Sequence, residues 1–315
     1  MIMWAALGVA AAIEPPAQQW QCTAAGGHHH VLLNRVNDSA SDLFEESRSQ
    51  HAVHRRGGAY FHASDGTRLH YTDEAKTNGG GPVLLVHGTA QSGWMWQAPS
   101  WCDTAATLAC HGYRPITIDL RGMGMSDLSN DTSRYGGARV CQDMVELLDH
   151  LGIRRAHVLG FSLGGYLLGP LVVRYPERIA SATLAGAQFR REAEDLARRA
   201  AGLNKMFESD FFKRRNLSTD EMGALHAMST EAHIRSQVVT EAQMKSLQVP
   251  IYAIAGGSDS NGFPLQPGHT MARYQLLEHT SHLEIVTHPQ FAQHVLSFLA
   301  KHPIGAQQRA RLKRK

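Results

Sequence analysis

The sequence predicts an α/β fold: a mostly parallel central sheet with helices on both faces, carrying a helical insertion late in the chain. Three observations predict it. Apolar runs of strand length alternate with helix-compatible segments from about residue 82 to residue 301, an order that sets parallel strands side by side through right-handed crossovers. One such run, residues 156–161, meets the pentad Gly160-Phe161-Ser162-Leu163-Gly164 and then a helix-compatible stretch over 166–175, which reads as strand, sharp turn and helix. A chain of 315 residues, 43% hydrophobic and 19% charged, also has the length and apolar content for one large domain with an insertion.

Taken in order, residues 1–57 hold Pro15-Pro16, Gly26-Gly27 and His28-His29-His30 with no sustained period, and are expected to form a poorly ordered extension. Their apolar start, 1–13, resembles the core of a secretory signal. It has no positive residue ahead of it and is too short to span a bilayer, so a cytoplasmic location is expected, with no integral membrane segment. Order is expected from Gly58, where two alternating runs flank Asp65-Gly66, a tight-hairpin signal. The run Pro82-Val83-Leu84-Leu85-Val86-His87 is continuously apolar up to its histidine, as a strand buried on both faces should be. A helix over 99–111, a strand over 114–119 and a helix over 138–151 follow; in the latter, Val140, Met144, Leu147, Leu148 and Leu151 recur at helical spacing. Strands are expected at 179–185, 249–255 and 274–277, and a closing helix at 289–301. The alternation breaks once, over 188–247, a helix-prone segment without Tyr, Trp or Pro. The expected organisation is therefore a core over 58–187 and 248–303, a helical cap insertion over 188–247, and a basic tail over 304–315. Phe189, Met206, Phe207, Phe211, Phe212, Met222 and Met228 of the insertion are expected to pack it onto the body more than to line a pocket.

Composition narrows the partners. A net charge of +3 is too mild for nucleic acid, which calls for a basic stripe interleaved with aromatics. The histidine run lacks the partner cluster that a metal site needs. Cys22, Cys102, Cys110 and Cys141 contain no Cys-x-x-Cys pair and read as reduced or buried thiols. No metal or organic cofactor is expected.

The candidate chemistry starts at Ser162. A serine on a strand-to-helix turn has an exposed hydroxyl and a helix start behind it whose free N–H groups face whatever the serine attacks. Serine needs a base within hydrogen-bond reach and a group that orients that base. In chain order the acid is expected after a later strand, where Asp259 follows the run 249–257; the competing position after residue 185 holds Gly186-Ala187-Gln188 and no carboxylate. His282 is the best-placed base, in a short loop ahead of the last helix, with His279 its rival. Asp119 and Asp127 are expected to pin the loop after their strand. Developing oxyanion charge requires preorganised donors, and the backbone N–H groups of Leu163 and Thr89 are the candidates, chosen for position and not for side chain.

Four motifs together resemble the α/β-hydrolase superfamily, and more closely its cap-bearing esterase, lipase and haloperoxidase-like branch. They are His87-Gly88 after an apolar strand; Asp119-Leu-Arg-Gly-Met-Gly-Met-Ser126, which matches Asp-x-Arg-Gly-x-Gly-x-Ser; the elbow at Ser162; and Ser281-His282 followed by Pro289 and Phe291. The resemblance covers residues 59–301 and departs from the pattern at Ser281, where the family usually has glycine. It implies a Ser162–His282–Asp259 triad acting on a small acyl substrate, with the apolar insertion favouring an apolar group. Relatives that open epoxides or remove halide use an aspartate nucleophile, which Ser162 argues against. Hydrolysis of an ester, lactone or thioester remains, beside carbon–carbon bond hydrolysis, cofactor-free perhydrolysis and a non-catalytic binding role.

Overall fold

The computed structural model of the chain describes residues 58–73, 80–98, 102–189, 196–259 and 272–304. The expected extension over 1–57, with Cys22 and the histidine run, and the tail beyond residue 304 lie outside the described residues. The sheet opens with the antiparallel hairpin of β1 (Ala59–His62) and β2 (Arg68–Asp73). Its turn is the Asp65-Gly66 pair. Gly66 sits at φ 80° with its amide 2.8 Å from the Ala63 carbonyl, a left-handed conformation that costs little without a Cβ, and the Asp65 carboxylate accepts the Thr67 amide at 3.1 Å.

Six further strands follow: β3 (Gly81–Val86), β4 (Tyr113–Ile118), β5 (Ala156–Phe161), β6 (Ile179–Ala185), β7 (Ile251–Gly256) and β8 (Ala272–Leu277). They join the hairpin in one sheet of order β1-β2-β4-β3-β5-β6-β7-β8. The β2–β4 pair is antiparallel, and every pair from β4 to β8 is parallel. This is the expected fold class.

The helices are α1 (Thr104–Cys110), α2 (Gly137–His150), α3 (Leu163–Arg174), α4 (Leu196–Phe207), α5 (Asp210–Arg214), α6 (Thr219–Met228), α7 (Glu231–Arg235), α8 (Glu241–Ser246) and α9 (Phe291–Ala300). Those named α4 to α8 fall between β6 and β7. Successive strand residues point to opposite faces, and the two sides of the sheet accordingly hold different cores. Leu84, Val86 and Val158 pack with Val140, Met144 and Leu147 of α2 and Leu167 and Leu171 of α3. Val83, Leu85, Leu159 and Phe161 pack with Leu108 of α1 and Val295, Phe298 and Leu299 of α9. Covered on both faces, β5, β6 and β7 are buried along their whole length, which is why they read as unbroken apolar runs.

Some boundaries shift. The helix expected from residue 99 begins at Thr104, because Ala98 and Cys102 form an antiparallel bridge with a 2.7 Å bond from the Cys102 amide to the Ala98 carbonyl. Strand β8 runs two residues longer at its start than expected, in register with β7 from Ile251 to Gly256. Burial pushes the thiols of Cys102 and Cys141 up to about 11 and about 12, so both stay protonated. Among the described residues, no helix is long and apolar enough to cross a membrane.

Candidate active site

Buried β5 delivers Ser162 to the carboxyl end of the sheet, where ligands sit in open α/β sheets. The serine has φ 51° and ψ −116°, a region that costs on the order of 1–3 kcal/mol for a residue with a Cβ and persists only where its surroundings enforce it. They do so through three bonds. The Ser162 amide donates to the Ala185 carbonyl at the end of β6 (2.9 Å), the Ser162 carbonyl accepts from Tyr166 (3.0 Å), and the Gly164 amide donates to the His87 carbonyl (3.1 Å). A Cβ on Gly160 would lie 2.5 Å from the Gly164 carbonyl carbon, and one on Gly164 would lie 2.4 Å from the Val86 carbonyl oxygen. The two glycines of the pentad are thus required by close backbone approach.

The loop after β3 is held from both sides. Its His87 imidazole is fully buried and bonded at both nitrogens, Nδ1 donating to the Gly88 carbonyl (2.8 Å) and Nε2 accepting the Leu120 amide (3.0 Å). That pairing suits a neutral ring, and burial accordingly holds His87 below its ordinary value against the opposing pull of Asp119. The buried Asp119 carboxylate accepts from the amides of Gly93 (2.6 Å) and Met125 (2.8 Å) and from His70 Nδ1 (3.0 Å). Burial alone would raise it, but the His70 bond and neighbouring imidazoles outweigh that and hold it below its ordinary value. Asp127 accepts the Arg68 amide at 2.8 Å. Both aspartates therefore pin loops, as expected.

Between these supports, the amides of Leu163 and Thr89 donate to no acceptor among the described residues. Leu163 is the first residue of α3, where an amide has no partner within the helix. Ala90, next to Thr89, sits at φ 54° with its amide on the Met123 Sδ at 3.2 Å, and the Gly88 amide donates to Gln91 Oε1 at 2.8 Å.

Asp259 follows β7 with its side chain fully buried, and its Oδ2 lies 2.8 Å from His282 Nδ1. The His282 side chain remains 23% exposed, with its ring 4.9 Å from that of Phe161. The loops carrying the two are tied together, Ser258 donating to the Thr280 carbonyl (3.0 Å) and Gly257 to the Leu277 carbonyl (2.8 Å). Ser281, the departure from the family pattern, gives its amide to Glu284 at 2.7 Å and so begins the short 3-10 turn Leu283–Ile285. His279 is exposed at φ 54°, whereas the carboxylate bond of this loop is made by His282.

A cavity of about 600 Å³ is lined by Thr89, Ser162, Leu163 and His282 from the sheet end and by residues of α4, α5, α6 and α7 from above. Met206, Phe207, Phe212 and Met228 line it, while Phe207, Phe212 and Met228 also belong to the buried core. The expected packing holds for Phe207, Phe212 and Met228, which line the cavity as well, while Met206 lines it without being buried. Helices lying across a cavity bury the same side chain against a neighbour at one edge and present it to the cavity at the other. Phe189 and Met222 pack, as expected. Sequence reading missed Tyr166, Arg198, Arg199, Arg215, His233 and Gln237, which also line the cavity; Tyr166 alone had a signal, lying one helical turn after the serine. Among the described residues no cluster of His, Cys, Asp or Glu is arranged to hold a metal ion.

A family model described as the alpha/beta hydrolase fold matches residues 81–261. The bifunctional epoxide hydrolase 2 of Sus scrofa is 32% identical over 127 residues, 39% of this chain but 21% of that protein. This chain thus spans about a fifth of that relative's length. The pimeloyl-[acyl-carrier protein] methyl ester esterase of Aeromonas hydrophila is 27% identical over 246 residues, covering 67% of this chain and 92% of the esterase. Among solved structures, a meta-cleavage product hydrolase from Pseudomonas fluorescens IP01 superposes with a TM-score of 0.61 at 19% identity, over 78% of this chain and 98% of that one, a likeness of fold.

Proposed function

Because the chain belongs to the alpha/beta hydrolase fold family, we propose that it is a serine hydrolase cleaving a carboxylic ester or related acyl bond through an acyl-Ser162 intermediate. The observation that carries the reading is the shared cavity. Ser162 and His282 both line it, and His282 Nδ1 is held 2.8 Å from the buried Asp259 carboxylate. With Nδ1 engaged as a donor, Nε2 is the nitrogen that can accept a proton. Ser162 Oγ bonds to the acyl carbon as its proton passes to His282, and the alcohol leaves with that proton. Water then gives a proton to His282 and attacks the acyl-enzyme, and Ser162 departs reprotonated. Asp259 holds the tautomer and stabilises the imidazolium.

The amides of Leu163 and Thr89 supply the donors for the oxyanion, each worth roughly 3 kcal/mol of transition-state stabilisation in such sites. The segment between β6 and β7 acts as a cap over 188–247, its apolar side chains receiving the apolar part of the substrate. Serine at position 162 sets the chain apart from epoxide-opening relatives, and the esterase match over most of both chains favours acyl transfer.

The test is turnover of p-nitrophenyl esters of increasing chain length by the native protein and by Ser162→Ala. The reading expects hydrolysis that falls by more than ~10³-fold in the variant. Activity that survives the substitution would sink it.

A further inference from the structure

The turn that carries the Thr89 amide is tied down peptide by peptide, and Gln91 makes two of the ties. A trans peptide points its carbonyl and its N–H in opposite directions, so a bond made by one group sets the aim of the other. The Thr89 N–H shares its peptide with the Gly88 carbonyl. That carbonyl accepts from His87 Nδ1 at 2.8 Å and from the Gln91 amide at 3.3 Å, which turns the Thr89 N–H away from both. Thr89 itself lines the cavity with Ser162 and Leu163.

The preceding peptide is fixed in the same manner. Its carbonyl, on His87, accepts the Gly164 amide at 3.1 Å, and its N–H, on Gly88, donates to Gln91 Oε1 at 2.8 Å. A main-chain N–H can meet only an acceptor, and this sets which end of the Gln91 carboxamide faces Gly88. The approach is close: a Cβ on Gly88 would lie 2.5 Å from Gln91 Oε1 and 3.2 Å from the Ser162 Cβ. Gln91 thus closes a ring with Gly88 directly beside the serine, once through its own amide and once through its side chain. Removing the side-chain oxygen takes the acceptor from a buried donor, a loss that favours rotation of the peptide. The Thr89 amide, one peptide further on, moves with it.

We propose that Gln91 is a positioning residue for the oxyanion, holding the two peptides around Gly88 so that the Thr89 N–H meets the charge developing on the substrate carbonyl. The proposal rests on the acyl-serine reading and adds to it the side chain that aims one of its donors. Alignment of such a donor matters where charge develops, so its loss slows acyl transfer without weakening substrate binding. Gln91 also lines the cavity. A role confined to touching the substrate would instead raise KM for any ester of the same shape.

The experiment compares p-nitrophenyl butyrate with its thionoester, in which sulfur replaces the carbonyl oxygen, on the native protein, Gln91→Met and Gln91→Glu. Sulfur is a weak acceptor of N–H bonds, so the ratio of the two kcat/KM values reports donation to the oxyanion. Met keeps the length of the side chain and removes the amide oxygen, whereas Glu keeps an oxygen for the Gly88 amide. Circular dichroism and thermal melting show whether each variant is folded. Gln91→Met is expected to lower kcat on the oxoester about tenfold or more, with KM changed by less than about threefold. Its oxoester-to-thionoester ratio should fall about tenfold, and that of Gln91→Glu should stay within about threefold of native even though the new charge slows both esters. Equal losses on the two esters in Gln91→Met, a change confined to KM, or no change overturns the proposal and leaves the hydrolase reading standing. If Gln91→Met does not fold, Gln91→Asn, which withdraws the acceptor by one methylene, is read by the same ratio in its place. A native protein that turns over neither ester overturns the acyl-serine reading itself, and the positioning role falls with it.

Discussion

Two histidines, one partly exposed and one buried, sit in opposite environments at different places around the sheet. His282, at the carboxyl end of the sheet, keeps part of its ring exposed and one nitrogen on the Asp259 carboxylate. His157, near the start of β5, is fully buried, with Nδ1 on the Ser181 hydroxyl at 2.8 Å and no hydrogen-bond partner at Nε2. Burial first, then the nearby charges of His302 and Arg155, lowers His157 from 6.5 to about 4. Its folded value lies below its unfolded value, so between those pH values the unfolded chain binds the extra proton and stability falls as pH falls. The span corresponds to about 3 kcal/mol at full development. Urea unfolding at pH 7 and pH 4.5 should therefore show a drop in the native protein that shrinks by most of that amount in His157→Gln. An equal drop in both would assign it to other groups. His157 is not distinguishable in the sequence from the chain's other histidines, because nothing local records that β6 carries a hydroxyl opposite it.

Ion pairs occur both between and within elements, and burial decides which matter. The Arg121 side chain, in the loop after β4, makes bonds of 2.6 and 2.7 Å to both oxygens of Asp143 on α2, and both side chains are essentially inaccessible. Arg139 joins the same carboxylate at 2.9 Å. On α8, Lys245 and Glu241 also pair at 2.5 Å, but with most of both side chains in solvent. Asp143→Ala removes the buried carboxylate shared by two guanidinium groups, leaving Arg121 with Asp65 and the Arg134 carbonyl and Arg139 with Glu146, and should cost about 3 kcal/mol. Glu241→Ala should cost less than about 0.5 kcal/mol. Denaturant midpoints of the two variants check the contrast, which fails if their costs are similar. At this scale the sequence was informative where periodicity or turn chemistry is local. The Asp65-Gly66 hairpin, the spacing of Val140, Met144 and Leu147, and the strand over 179–185 could all be read directly. The start of α1 could not, since it depends on the bridge between Ala98 and Cys102, and that is a tertiary contact.

Across the whole molecule, the candidate site gathers the loop after β3, the turn after β5, the loop after β7 and the loop after β8 at one end of a parallel sheet. Chain order alone points to Ser162, Asp259 and His282, because in a parallel sheet every strand delivers its following loop to the same end. Which arginines of the insertion face the cavity follows instead from how α4 and α5 settle over the sheet. Arg198, Arg199 and Arg215, which line the cavity, could not be separated from their charged neighbours by sequence. The central claim is that Ser162 is a nucleophile activated in this setting. It is tested most directly by treating the native protein and Ser162→Ala with a fluorophosphonate and measuring intact mass and the labelled peptide. The account predicts one adduct per chain on Ser162 and none in the variant. An unlabelled native protein, or the same adduct in Ser162→Ala, would contradict it.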